Sequence, residues 1–141
     1  FDKTGTISKG LFGLLHFTVV GQTRTRKEVL AYLALMEKPA SHPLSNAIVK
    51  AAADEQVELP KLQPQNHTLL PGEGITANIA GKDVHVGNRR LFQRLGHYDR
   101  LPQNVKSTVE EKWERAGGTV GYISIEGEGI VGAYWVVDEI R

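Results

Sequence analysis

The sequence predicts an α+β fold, an antiparallel sheet of about six strands with four helices packed on it. Three observations predict it. Segments with two-residue apolar alternation come in neighbouring pairs joined by glycine turns, as hairpins do. Segments with helical periodicity do not alternate regularly with the strands, which argues against repeated βαβ units and a parallel sheet. At 141 residues, 40% hydrophobic and 23% charged, the chain is long enough for one domain and too apolar for a disordered tail.

Residues 1–9 (FDKTGTISK) are polar and turn-prone and do not resemble a domain interior. Leu11 to Val20 is uncharged and rich in aromatic and β-branched residues, the pattern of a buried strand. Thr25 to Lys38 places Val29, Leu30, Leu33 and Met36 at helical spacing, with Thr25 and Glu28 in a capping-box arrangement and Pro39 as the stop. A second helix begins at Ser41-His42-Pro43, since proline suits a first helical turn, and carries Leu44, Ala47, Ile48 and Ala51 as its stripe. A proline-bearing loop, Glu58 to Gln65, leads to a strand at His67 to Leu70. Ile75 to Ala80 and Asp83 to Val86 then alternate around Gly81-Lys82 as a hairpin. Asn88 can cap a short helix carrying Leu91, Phe92 and Leu95. Val105 to Ala116 forms the last helix, stopped by Gly117-Gly118. Thr119 to Glu126 and Ile130 to Val137 close the chain as a hairpin around Gly127-Glu128-Gly129.

Composition narrows the chemistry. Seventeen basic residues balance sixteen acidic ones, so nothing in the charge calls for a nucleic-acid partner. Without cysteine there are no disulfides, thiolate metal sites or thiol nucleophiles. The five histidines, His16, His42, His67, His85 and His97, are scattered and form no metal-ligand spacing, so no metal site is expected here. The longest mostly apolar stretch, Gly10 to Val20, is too short for a bilayer span, which takes about 20 residues. No signal peptide is visible; a chain beginning at Phe1, with Met36 its single methionine, suggests a piece of something longer.

Two glycine patterns fit dinucleotide fingerprints only literally. Gly127-x-Gly129-x-x-Gly132 and Gly72-x-Gly74-x-x-Ala77 both run into strands, where a pyrophosphate site needs a helix N-terminus. Walker A spacing is not met around Gly81-Lys82. The informative segment is Asp2-Lys3-Thr4-Gly5-Thr6. A carboxylate in this setting can attack a phosphoryl group, with the lysine and hydroxyls orienting and neutralising the phosphoryl oxygens.

Preceded by Phe1, DKTGT resembles the phosphorylation motif of P-type ATPases. Further short motifs follow in that family's order. Ser41-His42-Pro43-Leu44 is similar to the HP motif in the nucleotide-binding domain of the heavy-metal-transporting branch, and Glu37 stands where those domains carry an acidic residue against adenine. Gly72-Glu73-Gly74 resembles their GxG motif, Gly87-Asn88 a later Gly-Asn pair, and Asp138-Glu139-Ile140-Arg141 a DxxR hinge. The resemblance covers essentially the whole chain.

It implies a six-stranded antiparallel sheet flanked by two pairs of helices, matching the pattern read from the residues. It divides the chain into a phosphorylation-domain stub and hinge at 1–8, a nucleotide-binding domain at 9–136 and a return hinge at 137–141. Asp2 becomes the phosphorylated nucleophile, assisted by Lys3 and Thr4; Glu37, His42, Gly72, Gly74, Gly87 and Asn88 form the nucleotide site; Asp138 and Arg141 belong to the hinge. The cofactors implied are ATP and, in the full-length enzyme, magnesium. The partners are the phosphorylation and actuator domains of the same chain, within the cytosolic part of an integral membrane protein, and a monomer is expected. This stretch alone is expected to bind ATP without turning it over.

Bland alternatives stand beside each residue. Gly72 and Gly74 also suit a tight turn, which could itself be the platform for the base. His42 and Asn88 also suit helix capping, and Glu37 a solvated helix end. Two rival functions are a stand-alone adenine-nucleotide-binding regulatory module and a haloacid-dehalogenase-type phosphatase. The second lacks the βα repeats expected beside its aspartate.

Overall fold

Thr25 starts the first helix as its spacing predicts: its hydroxyl accepts the Glu28 backbone N–H at 3.1 Å, and the Glu28 carboxylate accepts the Thr25 N–H at 2.9 Å. Two otherwise unpaired donors of the first turn are thereby satisfied. The computed structural model describes residues 12–39, 43–59 and 61–138. In chain order its elements are β1 (Phe12–Val19), α1 (Arg26–Glu37), α2 (Pro43–Asp54), β2 (Gln65–Leu70), β3 (Gly74–Ile79), β4 (Lys82–Gly87) and α3 (Arg89–Arg94). A 3-10 turn (Tyr98–Arg100) and a continuous helical stretch follow, the latter made of α4 (Gln103–Ser107), a π-wound turn (Thr108–Trp113) and α5 (Glu114–Ala116). Strands β5 (Thr119–Ile125) and β6 (Gly129–Asp138) complete the chain.

The six strands form one sheet in the order β1-β6-β5-β4-β3-β2, and every pairing is antiparallel. Alternation sends Ile75, Ala77 and Ile79 of β3, Val84 and Val86 of β4, and Ile123 and Ile125 of β5 to one face. There they meet Val29, Leu30, Leu33 and Met36 of α1 and Ile48 of α2, all fully buried. Burying each such side chain contributes about 1.5–3 kcal/mol. On the opposite face Leu91 and Phe92 of α3, Tyr98, Val109 and Trp113 pack over Tyr122 and Ala133. One helix pair thus covers each face of the sheet.

Two expectations are adjusted. Among the described residues the uncharged first strand lies at the sheet edge and pairs with β6 alone; Phe17 is buried, while exposed His16 stacks on Trp135 at 5.0 Å. The last helix begins two residues earlier than expected and is not uniformly α-helical. Val105, Val109 and Trp113 are spaced by four, and each step would drift about 40° around an α-helix of 3.6 residues per turn. The wider π turn compensates for the drift, and all three stay buried.

Register brings Phe12 opposite Asp138, so the two ends of the described domain lie side by side on adjacent strands. Among the described residues no helix is long and apolar enough to cross a membrane.

Candidate nucleotide site

The turn from β2 into β3 is built by glycine. Gly72 has φ +74°, and the Glu73 N–H closes the turn on the Leu70 carbonyl at 2.9 Å. Gly74 then pairs with Gly87 across the β3–β4 ladder. A Cβ on Gly74 would stand 2.0 Å from the Val86 carbonyl oxygen, and one on Gly87 would stand 2.2 Å from the Glu73 carbonyl oxygen. Backbone approaches backbone here more closely than any other residue type permits.

Asn88 locks this approach. Its Oδ1 accepts the Leu91 N–H at 3.1 Å as the N-cap of α3, its Nδ2 donates to the Gly72 carbonyl at 2.9 Å, and its backbone N–H donates to the Glu73 carbonyl at 2.9 Å. Asn88 is therefore a helix cap and a clamp on the 72–74 turn together. The Glu73 side chain turns to Arg94 in a bidentate pair at 2.6 and 3.0 Å, and that guanidinium holds its carboxyl below the ordinary glutamate range.

Across from the turn, α1 delivers Glu37 in its last position. Contrary to the solvated helix-end alternative, Glu37 is buried, and the Ser45 hydroxyl donates to its Oε1 at 2.7 Å. Tyr134 of β6 lies nearby, and burial, reinforced by the Glu37 charge, raises its phenol pKa so that it stays protonated. Its ring occupies the space above Gly121, where a Cβ would come within 2.2 Å of Tyr134 Cζ.

These pieces border an open cavity of about 460 Å³. Glu37, Gly72, Gly74, Gly87, Asn88 and Tyr134 line it together with Leu44, Ile75 and Val86. Five sequence-marked residues, spread from position 37 to position 88, therefore converge on one pocket. It is mostly apolar with a carboxylate at one end and close-packed backbone at the other, a form suited to a flat heteroaromatic ring with an exocyclic donor. His42 lies outside the described residues, as do Asp2, Lys3, Thr4 and Arg141; Asp138 ends β6. Sequence reasoning missed Ser45, Tyr134, Gly121 and Arg94. Only Gly121 carried a signal, as a glycine inside a strand, which marks a close approach.

A larger cavity, about 650 Å³, opens on the opposite sheet face and contains none of the sequence-marked site residues. His85 and His97 line it, and burial lowers the pKa of both. Among the described residues no three carboxylate or imidazole side chains converge as a metal seat.

No family model matches the chain. It is 34% identical over 142 residues to the cadmium/zinc-transporting ATPase HMA3 of Oryza sativa subsp. japonica, all of this chain aligning with 13% of that protein. It is 32% identical over its whole length to the cadmium/zinc-transporting ATPase HMA2 of Arabidopsis thaliana, covering 14% of it. The chain thus spans about a seventh of the length of these curated relatives. Among solved structures, the N-domain of HMA8, a copper-transporting P-type ATPase, superposes with a TM-score of 0.63 at 30% identity, covering 85% of this chain and 97% of that one. A zinc-transporting PIB-type ATPase gives a TM-score of 0.70 at 26% identity, covering 99% of this chain and 21% of that one. With nearly all of a solved N-domain matched in both sequence and fold, the chain belongs to the N-domain family of heavy-metal P-type ATPases.

Proposed function

We propose that this chain is the ATP-binding domain of a cation-transporting P-type ATPase, holding ATP by its adenine while the triphosphate extends toward the phosphorylation domain. The observation that carries the reading is the single cavity shared by Glu37, Gly72, Gly74, Gly87 and Asn88. Glu37 accepts a hydrogen bond from the adenine amino group, and guanine, with a carbonyl at that position, meets the carboxylate unfavourably. The bare backbone at Gly74 and Gly87 lets the ring plane approach without a Cβ in the way. Asn88 contributes by fixing the 72–74 turn, and His42, which precedes Pro43 in the HP-like motif, is a further nucleotide contact.

In the full-length pump the domain swings so that the γ-phosphate meets Asp2. The Asp2 carboxylate attacks phosphorus and ADP leaves, with Lys3 and Thr4 steadying the phosphoryl oxygens; water later hydrolyses the aspartyl phosphate. The domain's partners are then the phosphorylation and actuator domains of the same chain, on the cytosolic side of a membrane, and the domain itself is monomeric. Residues 1–8 are then a phosphorylation-domain stub and hinge, and 137–141 the return hinge.

The test is an NMR titration of the 141-residue chain with ATP. Resonances of Gly72, Gly74, Gly87, Asn88 and His42 should shift together. Silence at millimolar ATP, or shifts confined to the His85–His97 cavity, would overturn the assignment.

A further inference from the structure

Glu37 and Ser45 are joined across the connection between two helices. Glu37 is the last residue of α1, Ser45 stands in the first turn of α2, and their side chains meet at 2.7 Å with both residues buried. A carboxylate accepts only, so the serine hydroxyl must donate and has one orientation available. Taken out of water, a carboxylate stays charged and fixed in direction only where donors hold it. Ser45 is wholly buried and does not line the cavity, whereas Glu37 does. Its reach into the site is therefore indirect.

We propose that Ser45 is a positioning residue for base selection: by holding Glu37 Oε1, it aims the carboxylate into the cavity at the amino group that distinguishes adenine from 6-oxo purines. The proposal rests on the ATP-binding reading and deepens it. Neither the composition nor the short motifs point to Ser45; it is the geometry of the α1–α2 junction that does.

The test compares ATP with ITP, whose base differs by a carbonyl in place of that amino group, on wild type, Ser45→Ala, Ser45→Thr and Glu37→Gln. Wild type should prefer ATP. Ser45→Ala should weaken ATP by about tenfold, the scale of a lost hydrogen bond to a charged group, and leave ITP within about twofold, so that the preference collapses. Ser45→Thr keeps the hydroxyl and should restore the preference, and Glu37→Gln should abolish it. Thermal unfolding of each variant accompanies the titrations. An ATP preference that survives Ser45→Ala overturns the role of Ser45 alone. Equal loss of both nucleotides also overturns it, since that is the signature of a merely structural serine. Wild type that binds ATP and ITP alike overturns the adenine reading as well.

Discussion

Gly74 and Gly87 face each other across the β3–β4 ladder with no room for a Cβ on either strand. The contact joins fold and site, because the strand pair that needs two glycines to close also forms one wall of the cavity. Glu73 lies between Gly72 and Gly74, and its carboxylate is engaged by Arg94. The backbone of this turn is fixed by Asn88, which takes up the Gly72 and Glu73 carbonyl groups.

The three glycines near the cavity should therefore differ in their response to alanine. Gly72 needs only its left-handed φ, with open space around it, so Gly72→Ala should cost about 1–2 kcal/mol and Gly72→Asn less. Gly74→Ala and Gly87→Ala must force backbone apart, which should cost at least about 3 kcal/mol each and abolish nucleotide binding. Urea unfolding measures this ranking. Equal effects at all three positions would mean the close approach is not what constrains them.

A similar argument applies to the cross-strand pair Gly121 and Tyr134. A methyl at 121 would overlap the phenol ring, which lines the cavity, so the ring must shift. Gly121→Ala should destabilise by about 1–3 kcal/mol and weaken ATP binding. In a Tyr134→Leu background the same substitution should cost far less, since the ring it strikes is gone. A double-mutant cycle reads this coupling directly, and additive effects would contradict it.

The fold was largely legible in the sequence because its signals are local. Thr25 and Glu28 cap α1, Asn88 caps α3, glycine turns separate the last strands, and two-residue alternation marks β3 and β4. What local pattern could not supply was the partner of each site residue. Asn88 read equally as a cap or a ligand contact, and the structure gives it the cap and a bond to Gly72 sixteen residues earlier. Glu37, placed in the site by the resemblance, taken alone suits a solvated helix end, because its burial depends on α2 and β6 folding over it. Ser45 and Tyr134 were invisible for the same reason: an ordinary helix serine and a strand tyrosine acquire meaning only through long-range packing. The π turn was missed because spacing of four is read by default as α-helical.

The cavity's charge pattern bears on which part of the nucleotide supplies affinity. Among the described residues lining it there is no lysine or arginine, and its two carboxylates belong to Glu37 and Glu73. Anionic phosphates gain little there, so binding should come chiefly from the base. ATP, ADP and AMP should bind this chain within about tenfold of one another, a spread of about 1.4 kcal/mol, while GTP binds clearly less well. Calorimetric titration of the four nucleotides decides it. A steep fall from ATP to AMP would point to a phosphate site elsewhere on the domain.

Away from the cavity, one ion pair makes a prediction about pH. Arg24, just before α1, grips Glu128 in the β5–β6 turn through two bonds of 2.8 and 2.9 Å, and Lys82 adds a third at 3.3 Å. The pair is largely shielded from solvent, and the Arg24 hydrogen bond holds the Glu128 carboxyl below its ordinary pKa. A carboxyl depressed in the folded state binds its proton more readily when unfolded. Its stabilisation is therefore complete above the ordinary glutamate pKa of about 4.3 and is lost as pH falls through the lower, folded value. Replacing Arg24 by glutamine should then cost about 1 kcal/mol at pH 7, the upper range for a surface pair of good geometry. Between pH 5 and pH 3 the gap between Arg24→Gln and wild type should narrow, because protonated Glu128 no longer rewards the guanidinium. Urea unfolding at pH 7 and at pH 3 measures the gap, and a gap that is the same at both would show that Arg24 stabilises by packing on Tyr32, 5.0 Å from its guanidinium, rather than by charge.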